Sequence, residues 1–286
     1  MGAVVTVTIG IPTFNRLNIL KIMAKSLYAS NLPDYCNIRI YDDCSTEYGN
    51  AELKKLFPTA VSILRNSKNI RADKNMYIMY KDFLNSNDDY FFNADSDIIF
   101  HKDWIEKSLA MILKTSGILS IFNANSHEVT ALIDSDLCIK NSVGAAGTLF
   151  AQKRLKELMV QFPDIKDVRG FDWQWSRYFT DNGVHIFCSN NSLVQHIGYT
   201  GQHSSYFFDF GRNFEIETVQ EGQIINDIFE AFIDECKIKR LREAREQDAL
   251  ANDFLYHIKR CIIIIIKYLL PKKLVKKIKS LKHNRN

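Results

Sequence analysis

Two carboxylates one residue apart follow directly on a bulky apolar run in "YFFNADSDIIF", residues 90–100. In extended chain, positions i and i+2 project to the same face. Asp95 and Asp97 can therefore share one hard divalent cation, which takes oxygen ligands and keeps positions open for water or phosphate. The structural alternative is an Asx turn in which Asp95 caps the backbone. An apolar strand ending in two acids tilts the balance toward the cation, because unpaired charge beside a core is costly. A second acidic pair, Asp42-Asp43, follows "IRIY". A carboxylate there can hold ribose hydroxyls or a base N–H. Taken alone, that pair is explained equally well by a capped turn.

These acids need strands to present them. "VVTVTIGIP" (4–12) is rich in β-branched residues and stops at a proline, a strand signature. "CNIRIYDDCST" (36–46), "AVSILRN" and "DYFFNAD" read as further strands. Helical apolar spacing marks "RLNILKIMAKSLYAS" (16–30), "AELKKLF", "ADKNMYIMYKDFLNS" (72–86) and "KDWIEKSLAMILKT". Alternating strands and helices predict an α/β fold with a mostly parallel central sheet covered by helices on both faces. Ligands of such sheets bind beyond the carboxyl ends of the strands. Thr13, Asp42-Asp43 and Asp95-Asp97 all fall at such ends.

The second half is less regular. "GILSIFNAN" (117–125) and "LIDSDLCIKN" (132–141) read as strands, and a Gly-rich turn, "VGAAGTLF", precedes the helix "AQKRLKELMVQF". "FDWQWSRYFTDNG" (171–183) reads as a helix closed by Asn182-Gly183, and "VHIFCSNNSLVQHIG" as strands. Residues 224–258 read as a charged helix. This divides the chain into a domain over 1–222, a helical extension over 223–258 and a tail over 259–286.

Composition narrows the classes. Apolar residues make up 46% of the 286-residue chain, enough for a core and against disorder. The net charge of +4 hides an asymmetry: ten Lys/Arg and no acid lie from Lys259 onward, leaving 27 basic against 33 acidic residues in the body. A nucleic-acid protein would spread its basic residues over a folded face, so nucleic acid is not expected as a partner. The six cysteines form no CxxC pair, which argues against a zinc knuckle. The N-terminus lacks a basic n-region and reads as a strand, not a signal peptide; a reduced, cytosolic setting follows. No GxGxxG after a strand, P-loop or GxSxG elbow is present, which lowers dehydrogenase, NTPase and hydrolase readings.

In order and spacing, "VTIGIPTFNR", "IRIYDDCST", "NIRADKN", "DYFFNADSDIIFHKDW" and "FDWQWSRYFTDNGVHIFCSNNSLVQHIG" resemble the family-2 glycosyltransferases of the GT-A, Rossmann-like fold, over about residues 4–205. The resemblance implies that Pro12 and Thr13 line a nucleotide pocket, Asp42 and Asp43 hold uridine or ribose, and Asp73 lies near the base. It implies that Asp95 and Asp97 are a DxD pair around Mn²⁺ or Mg²⁺ at the donor diphosphate. Asp172 becomes the general base, and His196 a further metal ligand. The sequence departs from the family where Cys44 and Arg71 replace common glycines, and where Phe171-Asp172 replaces a frequent Glu-Asp. Trp173 and Trp175 could stack on an acceptor sugar, with at least one expected in the core. A lone His at a strand end is otherwise a hydrogen-bonded structural residue.

The tail "CIIIIIKYLLPKKLVKKIKSLKHNRN" is too short in apolar residues to span a bilayer. Leu274, Val275, Ile278 and Leu281 share a helical face among lysines, as in helices lying on anionic membrane surfaces; a partner-docking helix is the alternative. The resulting expectation is an inverting, metal-dependent glycosyltransferase. It would use a nucleotide-sugar donor, expected to be a UDP-sugar, and act on a surface polysaccharide or lipid-linked glycan. It would sit as a cytoplasmic, peripheral protein on the inner face of the cell membrane. The competing expectation is a non-catalytic, membrane-bound nucleotide-sugar binding or assembly subunit.

Overall fold

The computed structural model describes residues 5–124, 127–164, 171–198, 209–217 and 220–252. Its centre is β1 (Val7–Thr13), flanked by β2 (Cys36–Asp42) and β4 (Tyr90–Asn93), both parallel to it. β3 (Ser62–Arg65) continues the parallel half beyond β2. Beyond β4 the sheet runs through β9 (Thr148–Ala151), β6 (Ile118–Ser120), β10 (Ile186–Ser189), β8 (Leu137–Lys140) and β7 (Val129–Leu132). β9 and β8 are antiparallel to their neighbours. The remaining seven of the nine strands share one direction. The sheet is thus mostly parallel in strand direction and mixed in its pairings. β5 (Ile98–Phe100) and β11 (Val194–His196) form a separate two-stranded ladder with His196 opposite Ile98.

Side chains alternate across the strands, so neighbouring residues feed opposite layers. Phe92, Leu119 and Leu149 face one core; Phe91, Ile118 and Phe150 face the other. The first core is covered by α1 (Leu17–Ala29), α2 (Asn50–Leu56) and α4 (Trp104–Ile112), through Leu20, Leu53 and Trp104. The second is covered by α3 (Ala72–Leu84), α5 (Gln152–Gln161) and α6 (Phe171–Asp181), through Tyr80, Leu155 and Trp175. Trp104 is fully buried, with its ring centroid 4.5 Å from that of Phe92, and its indole N–H donates to Ser30 Oγ at 3.1 Å. A buried aromatic of this kind contributes roughly 1.5–3 kcal/mol through its area alone.

A third apolar cluster joins Ile19 and Ile22 of α1 to Ile99, Ile197, Ile216, Ile224 and Ala231. The last two lie on α7 (Glu221–Asn252). Their burial accounts for the first compact unit running to Phe232. The second unit begins at Ile233, and its described part is helical to Asn252. Among the described residues no helix is long and apolar enough to cross a membrane. The tail over 259–286 lies outside the described residues.

Candidate active site

Parallel pairing brings three strand ends to one rim. Thr13 lies opposite Asp42, and Gly10 opposite Asn93, two residues before Asp95. The two acidic pairs fare differently there. Asp42 is fully buried. Its Oδ1 accepts from Thr13 Oγ1 at 3.1 Å and from Ser45 Oγ. Its Oδ2 accepts from the Ser45 N–H at 3.1 Å and pairs with Arg65 Nε at 3.2 Å. Asp42 and the Thr13 hydroxyl are therefore engaged with each other and with the loop, which argues against Asp42 as a ligand group; Thr13 is buried and Pro12 half-buried at the same rim.

Asp43, also buried, ties the rim to the next loop. Its Oδ1 accepts from Asn66 Nδ2 at 3.0 Å and Ile70 N–H at 2.9 Å, and its Oδ2 from Arg71 N–H at 2.9 Å. These bonds hold the start of α3, where Asp73 sits half-buried in the first turn. Cys44 and Arg71, at the two positions where the related pattern has glycine, have φ of 63° and 75°. The backbone conformation that favours glycine is thus kept, and a side chain is carried at a cost of about 1–2 kcal/mol.

Asp97 is met by two cationic side chains. Its Oδ2 pairs with Arg16 Nη1 at 2.9 Å, and its Oδ1 accepts from His196 Nε2 at 3.2 Å. Burial alone would raise its pKa, but the imidazolium and the guanidinium together hold it well below the usual carboxylate range. His196 shows the reciprocal effect: burial lowers it, and Asp97, aided by Asp95, lifts it to about 9. Asp95 is pushed up to about 7 by burial and then by the Asp97 charge. Against these, His196 and Asn93 favour the ionised form; Asn93 Nδ2 donates to Asp95 Oδ1 at 2.6 Å. Asn93 is itself oriented by the Tyr80 hydroxyl, which donates to Asn93 Oδ1 at 3.3 Å.

Asp172 lies in the first turn of α6, where the helix dipole favours negative charge. Its charge is felt at Asp95, so both belong to one electrostatic group, and its Oδ1 accepts from the Trp173 N–H at 2.9 Å. Trp173 is 59% exposed, with its ring 5.6 Å from that of His127. Trp175 is 3% exposed and packs against Phe171 and Tyr80. It is core, and its expected role on an acceptor is withdrawn.

Sequence reading missed Arg16, Asn93 and Gly198. Gly198 follows β11, and a Cβ there would overlap Asp97 Oδ2 and lie 2.8 Å from Arg16 Nη2. A side chain there would have to displace the Asp97 carboxylate or the Arg16 guanidinium from the pair. The signals were present in "TFNR", "FFNAD" and "HIGY", but contacts between segments this far apart in sequence are not visible in local pattern.

The donor set fits a divalent cation. Asp95, Asp97 and His196 offer oxygen and imidazole groups, and Asp97 is already shaped to hold positive charge. Among the described residues, the group whose three donor atoms lie within 4.8 Å of one another is a different one, His101, Asp103 and Glu217. There, however, Lys107 Nζ lies 3.1 Å from His101 Nε2, and Asn31 Nδ2 donates to Asp103 Oδ1 at 2.6 Å. That cluster thus has a neighbouring cation in Lys107, as Asp97 has in Arg16.

Comparison with known proteins agrees with this architecture. Residues 8–131 match the model of glycosyl transferase family 2. Among solved structures, S. aureus TarS 1-349 in complex with UDP-GlcNAc superposes with a TM-score of 0.53 at 16% identity, covering 71% of this chain and 61% of that one. TarS 1-349 alone gives 0.50 at 15% identity, over 66% and 59%. GalNAc-T7 with UDP, GalNAc and Mn²⁺ gives 0.56 at 12% identity, over 68% and 44%. The fold is GT-A. The chain spans less than two thirds of each of these chains. No curated protein sequence matches it.

Proposed function

We propose that this protein is an inverting glycosyltransferase that moves a sugar from a nucleotide-diphosphate donor, a UDP-sugar, to a hydroxyl of a surface polysaccharide or lipid-linked glycan. The observation that carries the reading is the charged group at one rim of the parallel strands, in which Asp97 pairs with Arg16 and His196 and lies two residues from the buried Asp95, which also feels the charge of Asp172. The UDP-GlcNAc complex of TarS and the UDP and Mn²⁺ complex of GalNAc-T7 support a nucleotide-sugar and a metal on this fold.

Asp95, Asp97 and His196 would hold Mn²⁺ or Mg²⁺. The bound ion would act as a Lewis acid on the charge developing at the diphosphate. Asp43 fixes the loop that borders the nucleotide, with Pro12, Thr13 and Asp73 along its path. Asn93, held by Tyr80, sets the orientation of the Asp95 carboxylate. Asp172 takes the proton from the acceptor hydroxyl as it attacks opposite the leaving group. A positioned base of this kind contributes typically ~10²–10⁴-fold. Trp173, exposed beside Asp172, offers an aromatic face to the acceptor sugar. Direct attack inverts the anomeric centre and needs no covalent nucleophile.

The basic tail supports placement at the cytoplasmic face of the membrane, each lysine near an anionic surface adding about 1 kcal/mol. The test is sugar transfer and donor hydrolysis with Mn²⁺ across a set of nucleotide-sugars, for wild type, Asp97→Ala and Asp172→Asn. Turnover lost in both variants supports the reading. Full activity in both refutes the site, and donor binding without turnover by wild type under any acceptor favours the non-catalytic subunit.

A further inference from the structure

Asp97 is neutralised by a cation that the proposed chemistry does not use. Arg16 reaches it from the N-cap of α1, 81 residues earlier in the chain, with Nη1 at 2.9 Å from Oδ2. The arginine adopts φ 60°, a left-handed conformation that a non-glycine residue does not take freely. Gly198 lies against the pair, where a Cβ would displace the Asp97 carboxylate or the Arg16 guanidinium. The Arg16 side chain keeps 25% of its surface exposed and Asp97 12%, so the guanidinium lies on the open side of the carboxylate. A guanidinium fork matches carboxylate and phosphate alike.

We propose that Arg16 is a resident counter-cation, a positioning residue with two partners. It holds Asp97 in place while no metal is bound, gives up that carboxylate when the divalent ion arrives, and then pairs with the diphosphate of the donor. No bond is made or broken in the exchange; one cation replaces another on Asp97. The inference rests on the metal-dependent reading above and adds a sign to it: the same side chain opposes metal binding alone and favours nucleotide binding with metal. A residue that merely supported the fold would weaken both.

The test uses the full chain and two probes, Mn²⁺ alone and UDP in saturating Mn²⁺. Free Mn²⁺ is read by electron paramagnetic resonance and UDP binding by calorimetry. Arg16→Gln keeps the left-handed backbone demand unchanged while removing the charge; Arg16→Lys keeps the charge. The glutamine variant is expected to bind Mn²⁺ alone more tightly, in the usual range of a coupling, about 5–150-fold, and UDP with Mn²⁺ more weakly. The lysine variant should stay within a few-fold of wild type for Mn²⁺. Melting temperatures near wild type establish folding. Unchanged or weaker Mn²⁺ binding by Arg16→Gln, with binding still abolished in Asp97→Asn, overturns the role of Arg16 and leaves the metal reading standing. Wild-type Mn²⁺ binding that is absent, or unaffected by Asp97→Asn, overturns both.

Discussion

Asp42-Asp43 and Asp95-Asp97 both close strands of the parallel half of the sheet, yet they are held in opposite ways. The first pair is tied on both carboxylates by its own rim and the adjoining loops: Thr13, Ser45 and Arg65 for Asp42, and Asn66, Ile70 and Arg71 for Asp43. The second pair is met by side-chain cations from remote segments, Arg16 and His196, and Asp95 is pushed toward neutrality by its neighbour. A carboxylate satisfied by fixed donors has little to offer a ligand and much to offer rigidity. A carboxylate balanced by exchangeable cations is suited to trade one of them for a substrate's metal. On the proposed reading, two similar acidic pairs serve as brace and grip.

That contrast can be broken experimentally, and the effects should descend in size. Asp97→Ala should remove the grip and lower transfer on the order of 10⁴-fold, if the metal supplies the several kcal/mol usual for Lewis-acid stabilisation. Steady-state kinetics of a variant that melts like wild type checks this. Asp172→Asn should cost about 10³-fold in kcat with little change in donor KM, as loss of a general base does. Asp42→Asn, in the brace, should instead destabilise the fold by about 2–3 kcal/mol, discounted for the partial exposure of Arg65. Denaturant midpoints would show it, and kcat of the folded fraction should move little. Trp173→Ala should raise the acceptor KM by a few-fold, since aromatic contacts are worth ~0.5–1.5 kcal/mol, and leave donor hydrolysis unchanged. Cys44→Gly should be the smallest effect, a gain of roughly 1 kcal/mol in stability from relief of the positive φ.

The parallel half of the fold is legible in the sequence because β1 and β2 are long and β-branched, β4 is a bulky aromatic run, and its helices carry clear apolar spacing. β5, β7 and β9 are not, being three or four residues long. β9 was hidden in "VGAAGTLF", where the glycines suggest only a turn, and it is the strand that reverses direction beside β4. The acids of the site were legible as types at strand ends, but their division of labour was not. Asp42 differs from Asp43 by which way one residue turns, and that depends on Ser45 and Arg65. Trp173 and Trp175, two apart on a helix, point about 200° apart, so one had to be buried; which one depends on where Phe171 and Tyr80 pack. Cys44 and Arg71 looked like losses of pattern, and the positive φ at both shows that the pattern persists in the backbone.

The central claim is that the Asp97 end of the rim, and not the Asp42 end, grips a cation and its diphosphate. Anomalous diffraction from crystals soaked with Mn²⁺ and UDP tests it most directly. The account predicts a manganese peak bounded by Asp95, Asp97 and His196 with the diphosphate against it. A peak confined to His101, Asp103 and Glu217, or UDP bound with no manganese beside Asp97, would contradict it.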